Sequence, residues 1–292
     1  MLKIGDKVGI VCCSNPQRRE SEPQIKELER ILRDMGLNPV FGNHIYEKCD
    51  MHGICGSAAP QERAGVLMNF YRDDAIKAIF DISGGDIANG VLPHLDYNVI
   101  ASKSKLFWGY SDLTTLVNAV YAMTGKPSVL YQVRNMISAE NGKHQITDFR
   151  DAVMESERRQ EVSRGLFQID YKFLQGKEMQ GIVVGGNIRC FLKLAGTPYM
   201  PDLSGKILLL EARSGLAMQI ETYFAQLAQM GAFEKVSGVL LGTFSQLEKV
   251  CGISAIQILI QKYVSKDVPI AVTRNIGHGT DAKAIMIGRE LS

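Results

Sequence analysis

Long apolar runs are missing from this sequence: none reaches the roughly 20 residues that a membrane-spanning helix needs. An excess of either charge is missing too, since 33 Lys and Arg stand against 31 Asp and Glu for a formal net charge of +2. That balance gives no electrostatic reason to expect nucleic acid or a membrane surface as partner. The opening Met1-Leu2-Lys3-Ile4-Gly5-Asp6-Lys7 lacks the apolar core of a signal peptide, so a cytoplasmic protein is expected. None of the six cysteines forms a CxxC pair. Cys49, His52 and Cys55 lie near one another, but four ligands at zinc-like spacing are absent, and no metal or other cofactor is expected. Cys12 and Cys190 stand in apolar surroundings and read as buried thiols. Internal repeats and low-complexity segments are absent as well.

What remains is an ordinary globular composition, 46% hydrophobic and 22% charged over 292 residues. That length suits about two domains at roughly 150 residues each. In the first half, residues 7–13, 38–41, 75–82, 105–108 and 128–131 read as strands. Residues 24–35 have helical spacing and stop at Gly36; residues 60–71 form a second helix opened by Pro60. Residues 43–58 read as a loop and 147–156 as a helix. Strands alternating with helices imply βαβ units and a parallel sheet covered on both faces. The charge-rich run 155–165 is the expected linker, dividing an N-terminal unit (1–154) from a C-terminal one (166–292). Beyond it, strands are expected at 167–171, 179–184, 205–211, 236–241, 270–272 and 284–287. Helices are expected from Gly185 to about residue 195, over 217–230 and over 254–264.

The stretch Phe107-Trp108-Gly109-Tyr110-Ser111-Asp112-Leu113 joins a strand end to a helical pattern. A serine on such a turn holds its hydroxyl above the sheet. The N–H groups beside it have no intrahelical partner and carry the positive end of the helix dipole. These are the mechanics of a G-x-S-x-G nucleophile elbow, except that Leu113 stands where the second glycine would be. The same pattern also serves as a plain helix N-cap. His278, between Gly277 and Gly279 in a loop after an apolar strand, has room to meet a substrate. Glu211 ends a strongly apolar strand, where an unpaired carboxylate is costly. It could pair with Arg213 or Arg189, or it could hold His278 in one tautomer. In the second case Ser111, Glu211 and His278 form a set that activates an otherwise poor nucleophile. The oxyanion donors would then be the backbone N–H of Asp112 and one in the Gly84-Gly85-Asp86 turn.

Five short motifs share one order and spacing: Gly109-Tyr110-Ser111-Asp112, Gly185-Gly186-Asn187, Gly196-Thr197-Pro198-Tyr199, Leu209-Leu210-Glu211 and Gly277-His278-Gly279. In them the chain resembles the LD-carboxypeptidase family of serine peptidases, which also includes the microcin C self-immunity hydrolases. The resemblance runs over nearly the whole chain. It implies an α/β fold, with an N-terminal flavodoxin-like parallel-sheet domain and a C-terminal swivelling β/α domain. It implies Ser111 as nucleophile, His278 as general base and Glu211 as its orienting acid, with Gly85 and Asp112 at the oxyanion-hole positions. It implies a small peptide substrate, a murein tetrapeptide losing its terminal D-alanine, and a homodimer. The alternatives are a hydrolase of peptidyl-nucleotide antibiotics and a non-catalytic binder on the same scaffold. Two segments depart from the family: Glu211 is followed by Ala212-Arg213 instead of Asp, and Tyr131-Gln132-Val133-Arg134 replaces a His-Gly-Pro segment. Arg189, Arg213 and Arg134 are the candidates to bind a substrate carboxylate, Arg134 placed last because its segment does not match.

Overall fold

Lys7–Val11, Ile76–Asp81, Ile207–Ala212 and Gly238–Phe244 are buried along almost their whole length. Continuously apolar strands of this kind belong inside sheets covered by helices on both faces. The computed structural model describes residues 1–49, 55–155 and 165–291. In chain order its strands are β1 (Lys7–Val11), β2 (Asn38–Phe41), the short antiparallel pair β3 (Lys48–Cys49) and β4 (Cys55–Gly56), β5 (Ile76–Asp81), β6 (Phe107–Gly109), β7 (Ser128–Leu130), β8 (Tyr171–Gln175), β9 (Val183–Asn187), β10 (Ile207–Ala212), β11 (Gly238–Phe244), β12 (Ile270–Thr273) and β13 (Ile285–Ile287).

They build two parallel-dominated sheets, so the α/β class is as expected. The first runs β13-β7-β6-β5-β1-β2 and the second β8-β12-β11-β10-β9. Each has one antiparallel edge strand, β13 against β7 and β8 against β12. The last strand of the chain therefore returns to the first sheet. One face of the first sheet packs Val8, Ile10, Trp108 and Phe149 into its own core. The other shares a single apolar core with the second sheet.

Several boundaries differ from the sequence reading. The strand expected at 167–171 begins only at Tyr171, because Leu166 and Phe167 pack into the first core, Phe167 against Trp108 with ring centroids 5.9 Å apart. The helix expected at 147–156 spans Gly142–Val153. The loop at 43–58 contains the β3–β4 pair. Of the cysteine and histidine cluster there, residues 50–54 lie outside the described residues, as do residues 156–164 of the expected linker. The Gly185-Gly186 pair lies in strand β9 rather than at a helix start, and Asn187 caps the short helix Ile188–Phe191.

That displacement positions the site. The helix Thr114–Thr124, ended by Gly125 in the left-handed conformation, lies against β9. Asn118 donates to the Gly185 carbonyl and accepts from the Gly185 N–H, both at 2.8 Å. The Asn187 N–H donates to Thr114 Oγ1 at 3.0 Å. Gly186 has φ +131°, and a Cβ there would lie 2.8 Å from Thr114 Oγ1. The strand thus meets the helix backbone-first, which only glycine permits. We expect Asn118→Leu to leave both Gly185 groups buried without partners and to lower stability by about 2–4 kcal/mol. Urea unfolding would show a lower midpoint at unchanged slope; a midpoint equal to that of the parent would refute this account of the seam.

Candidate active site

Ser111 follows β6 and opens the turn Ser111–Leu113 that leads into the helix Thr114–Thr124. Its φ is +57°, a conformation that costs a non-glycine residue about 1–3 kcal/mol and that gathers at functional sites. Gly109 explains why Leu113 is tolerated where an elbow has its second glycine. A Cβ on Gly109 would lie 2.6 Å from the Leu113 Cβ, so one glycine leaves the space the leucine fills.

Glu211 sits on β10 in register with Asn187 on β9, and it is fully buried. Its two oxygens are both engaged: Oε1 accepts from Asn187 Nδ2 at 3.0 Å, and Oε2 lies 2.7 Å from His278 Nδ1. His278 Nε2 lies 3.1 Å from Ser111 Oγ. The carboxylate can only accept, so the imidazole donates from Nδ1 and turns an acceptor Nε2 toward the serine hydroxyl. Glu211 therefore pairs with the imidazole rather than with Arg213 or Arg189. The loop carrying His278 comes close to β11 because glycines line the crossing. A Cβ on Gly242 would meet the Ile276 carbonyl, and one on Gly277 would overlap Thr243 Oγ1. The Tyr110 ring packs edge-on against the imidazole, centroids 4.9 Å apart. Burial and the neighbouring Glu211 carboxylate push the Tyr110 hydroxyl far above its ordinary pKa, so it stays neutral.

Asp112, next to Ser111, is held through its side chain. Its carboxylate is fully buried and accepts from Ser14 Oγ at 2.6 Å and from the Ala88 N–H at 2.8 Å. It also forms an ion pair with Lys193, whose Nζ donates to the Asp86 carbonyl as well. The Gly84-Gly85-Asp86 turn is held from three sides. Asn15 donates its N–H to the Gly84 carbonyl and accepts from the Asp86 N–H. Buried Asp81 accepts from the N–H groups of Cys13 and Ser83. Arg189 pairs with Asp86 at 2.6 Å and donates to the Gly85 carbonyl at 3.0 Å. Gly85 itself has φ +125°, and a Cβ there would strike the Asn15 amide. Arg189 is thus committed to shaping this turn. Arg189, a sequence candidate for binding a substrate carboxylate, therefore has Asp86 and Gly85 as its partners here.

Ser111 and His278 open onto a cleft of about 590 Å³ whose lining includes Gly85, Gln17, Arg134 and Arg213. Arg213, a sequence candidate for a substrate carboxylate, is on this wall. Arg134, placed last on sequence grounds, is also on the wall. Asn187, Asn118 and Lys193 were not singled out in sequence. Asn187 was visible only as part of a motif, and nothing in the pattern distinguished the other two from ordinary helix residues. Cys12 and Cys190 are buried free thiols, as read, and burial pushes Cys190 up to about 12.

Residues 8–131 match the model for the LD-carboxypeptidase N-terminal domain, and residues 180–292 match that for the LD-carboxypeptidase C-terminal domain. A Bacillus subtilis (strain 168) protein named "Probable murein peptide carboxypeptidase" is 26% identical over 293 residues, covering 98% of this chain and 88% of that protein. Two solved structures share the fold. MccF in complex with glutamyl sulfamoyl guanosine has a TM-score of 0.84 at 21% identity, over 99% of this chain and 93% of that one. Muramoyltetrapeptide carboxypeptidase from Oxalobacter formigenes has a TM-score of 0.78 at 21% identity, over 97% and 93%.

The Lys193–Asp112 pair ties the serine turn to the second half of the chain. Lys193→Met should strand a buried carboxylate and cost about 3–5 kcal/mol of stability. Calorimetric unfolding of the variant tests this; a loss under about 1 kcal/mol would make the pair no more than a surface contact.

Proposed function

The chain belongs to the LD-carboxypeptidase family and is a peptidase-type hydrolase, and on that footing we propose that it is a serine-type LD-carboxypeptidase acting on murein tetrapeptides. The bond cut is the amide between the L-centre of the third residue and the terminal D-alanine. The reading rests on one observation, the continuous hydrogen-bonded chain Ser111–His278–Glu211 at the mouth of the cleft.

In this reading Ser111 Oγ attacks the scissile carbonyl as His278 Nε2 takes its proton. Glu211 stabilises the imidazolium and keeps the ring oriented, while Asn187 occupies the carboxylate's other oxygen so that Oε2 stays on the ring. The oxyanion of the tetrahedral intermediate is received by the backbone N–H groups of Gly85 and Asp112. His278 then gives its proton to the departing D-alanine amine, which leaves an acyl-enzyme on Ser111. Water, deprotonated by the same imidazole, releases the tripeptide and restores the serine. We take residues 1–154 and 166–292 as the two units that meet at this cleft, the second lending β13 to the first sheet and residues 166 and 167 to its core. We take the cytoplasm as the place of action and the homodimer as the working form.

A peptidyl-nucleotide substrate is the second reading, favoured by the likeness to MccF. It calls for an aromatic face on which a base can stack. Among the described residues, Tyr110 is the one Phe, Tyr or Trp on the lining, and its ring is buried against His278. Trp108 is buried among Phe80, Tyr131, Phe149 and Phe167. The lining therefore favours the peptide.

Incubation with a disaccharide-tetrapeptide should release one alanine, seen by mass spectrometry, while an aminoacyl-sulfamoyl adenosine stays intact. The opposite pattern would replace the first reading with the second. Ser111→Ala should lower kcat/KM by about 10³–10⁶-fold without loss of folded structure. Undiminished turnover in that variant would remove Ser111 from the mechanism.

A further inference from the structure

The cleft wall carries an asymmetry of charge. Among the described residues, Arg18, Arg134, Arg213 and Lys283 line it and no Asp or Glu does. Arg134 differs from the other three in how it is held. It lies in the turn Val133–Ile137, just past the C-terminal end of β7, and ligands of parallel sheets bind beyond such strand ends. Its Nη1 donates to Gln17 Oε1 at 2.7 Å. Gln17 is itself oriented by a 2.9 Å bond from its Nε2 to the Ile82 carbonyl. The Arg134 Nε is buried and has no partner, and no carboxylate among the described residues pairs with the guanidinium. Burial, with Arg213 nearby, lowers its pKa while leaving it charged. A part-buried, unpaired guanidinium held in one orientation is costly unless an anion completes it. Its planar fork suits a carboxylate bidentately.

We propose that Arg134, aligned by Gln17, is the specificity-determining residue that receives the free terminal carboxylate of the substrate. This rests on the carboxypeptidase reading. It gives the non-matching segment Tyr131-Gln132-Val133-Arg134 a purpose, since the change places a fixed guanidinium on the wall that Ser111 shares.

The test compares a disaccharide-tetrapeptide bearing a free terminal carboxylate with its terminal carboxamide. The parent protein should prefer the carboxylate by about 10²–10³-fold in kcat/KM, and Arg134→Met should bring the two within a few-fold of each other. Arg134→Lys keeps the charge without the fork and should restore only part of the preference. If Arg134→Met folds poorly, Arg134→Lys and Gln17→Leu carry the same comparison. A second readout is independent of turnover. N-acetyl-D-alanine should bind the Ser111→Ala protein in calorimetric titration, its amide should not, and adding Arg134→Met should abolish the binding. No alanine release by the parent protein would refute the carboxypeptidase reading, and the titration would still decide the arginine. Full carboxylate preference in Arg134→Met, or N-acetyl-D-alanine binding that survives it, would overturn the assignment. So would tighter binding of inorganic phosphate than of N-acetyl-D-alanine, because the guanidinium would then be reading a phosphoryl group.

Discussion

The contact between the helix Thr114–Thr124 and strand β9 governs the rest of this molecule. Ser111 lies just before the first turn of that helix, and Glu211 lies on the strand next to Asn187. Whatever fixes helix to strand therefore fixes the alcohol relative to the carboxylate. The contact is made of backbone as much as side chain. Gly185 and Gly186 bring the strand in close, Asn118 satisfies both polar groups of Gly185, and Thr114 accepts from the Asn187 N–H. Close-packed seams of this kind do not deform gradually. Hydrogen bonds of 2.7 and 3.1 Å, joining residues 67 and 167 positions apart respectively, are sustained by that stiffness.

Buried charge follows one pattern near the site. Each acid is surrounded by donors: Glu211 by Asn187 and His278, Asp112 by Ser14, Ala88 and Lys193, Asp81 by Cys13 and Ser83. Satisfied in this way, a buried carboxylate orders the loops around it instead of destabilising them. Asp112 and Asp81 between them organise the serine turn and the Gly84-Gly85 turn. Arg189 and Asp86 extend the same network to the second half of the chain. On the cleft wall the case of Arg134 is different, since its buried Nε has no hydrogen-bond partner.

Most strands and helices were legible as alternating apolar runs and helical spacings, because burial on both faces of a parallel sheet writes itself as continuous hydrophobicity. Ser111, His278 and Glu211 stood out locally: a serine after a strand end, a histidine between glycines, a carboxylate ending an apolar strand. Boundaries failed where a segment's partner was distant. Phe167 reads as a strand residue but is drawn into the first core by Trp108. Gly185-Gly186 reads as a helix start but lies in β9, because the nearby helix demands a strand without side chains. The partners of Arg189 and Arg134 were hidden for the same reason, since Asp86 captures one guanidinium and Gln17 steers the other.

The sequence by itself determined the α/β class, the near-neutral charge and the three side chains able to form a hydrogen-bonded triad, since periodicity and residue chemistry are local properties. Tertiary structure alone decided that Glu211 meets His278 instead of an arginine, that Asp112 is clamped by Lys193, and that Arg134 faces the cleft. Each of those outcomes depends on which groups far apart in the chain arrive within 3 Å of one another. That distance is set by how helix and strand pack, and no stretch of sequence records it.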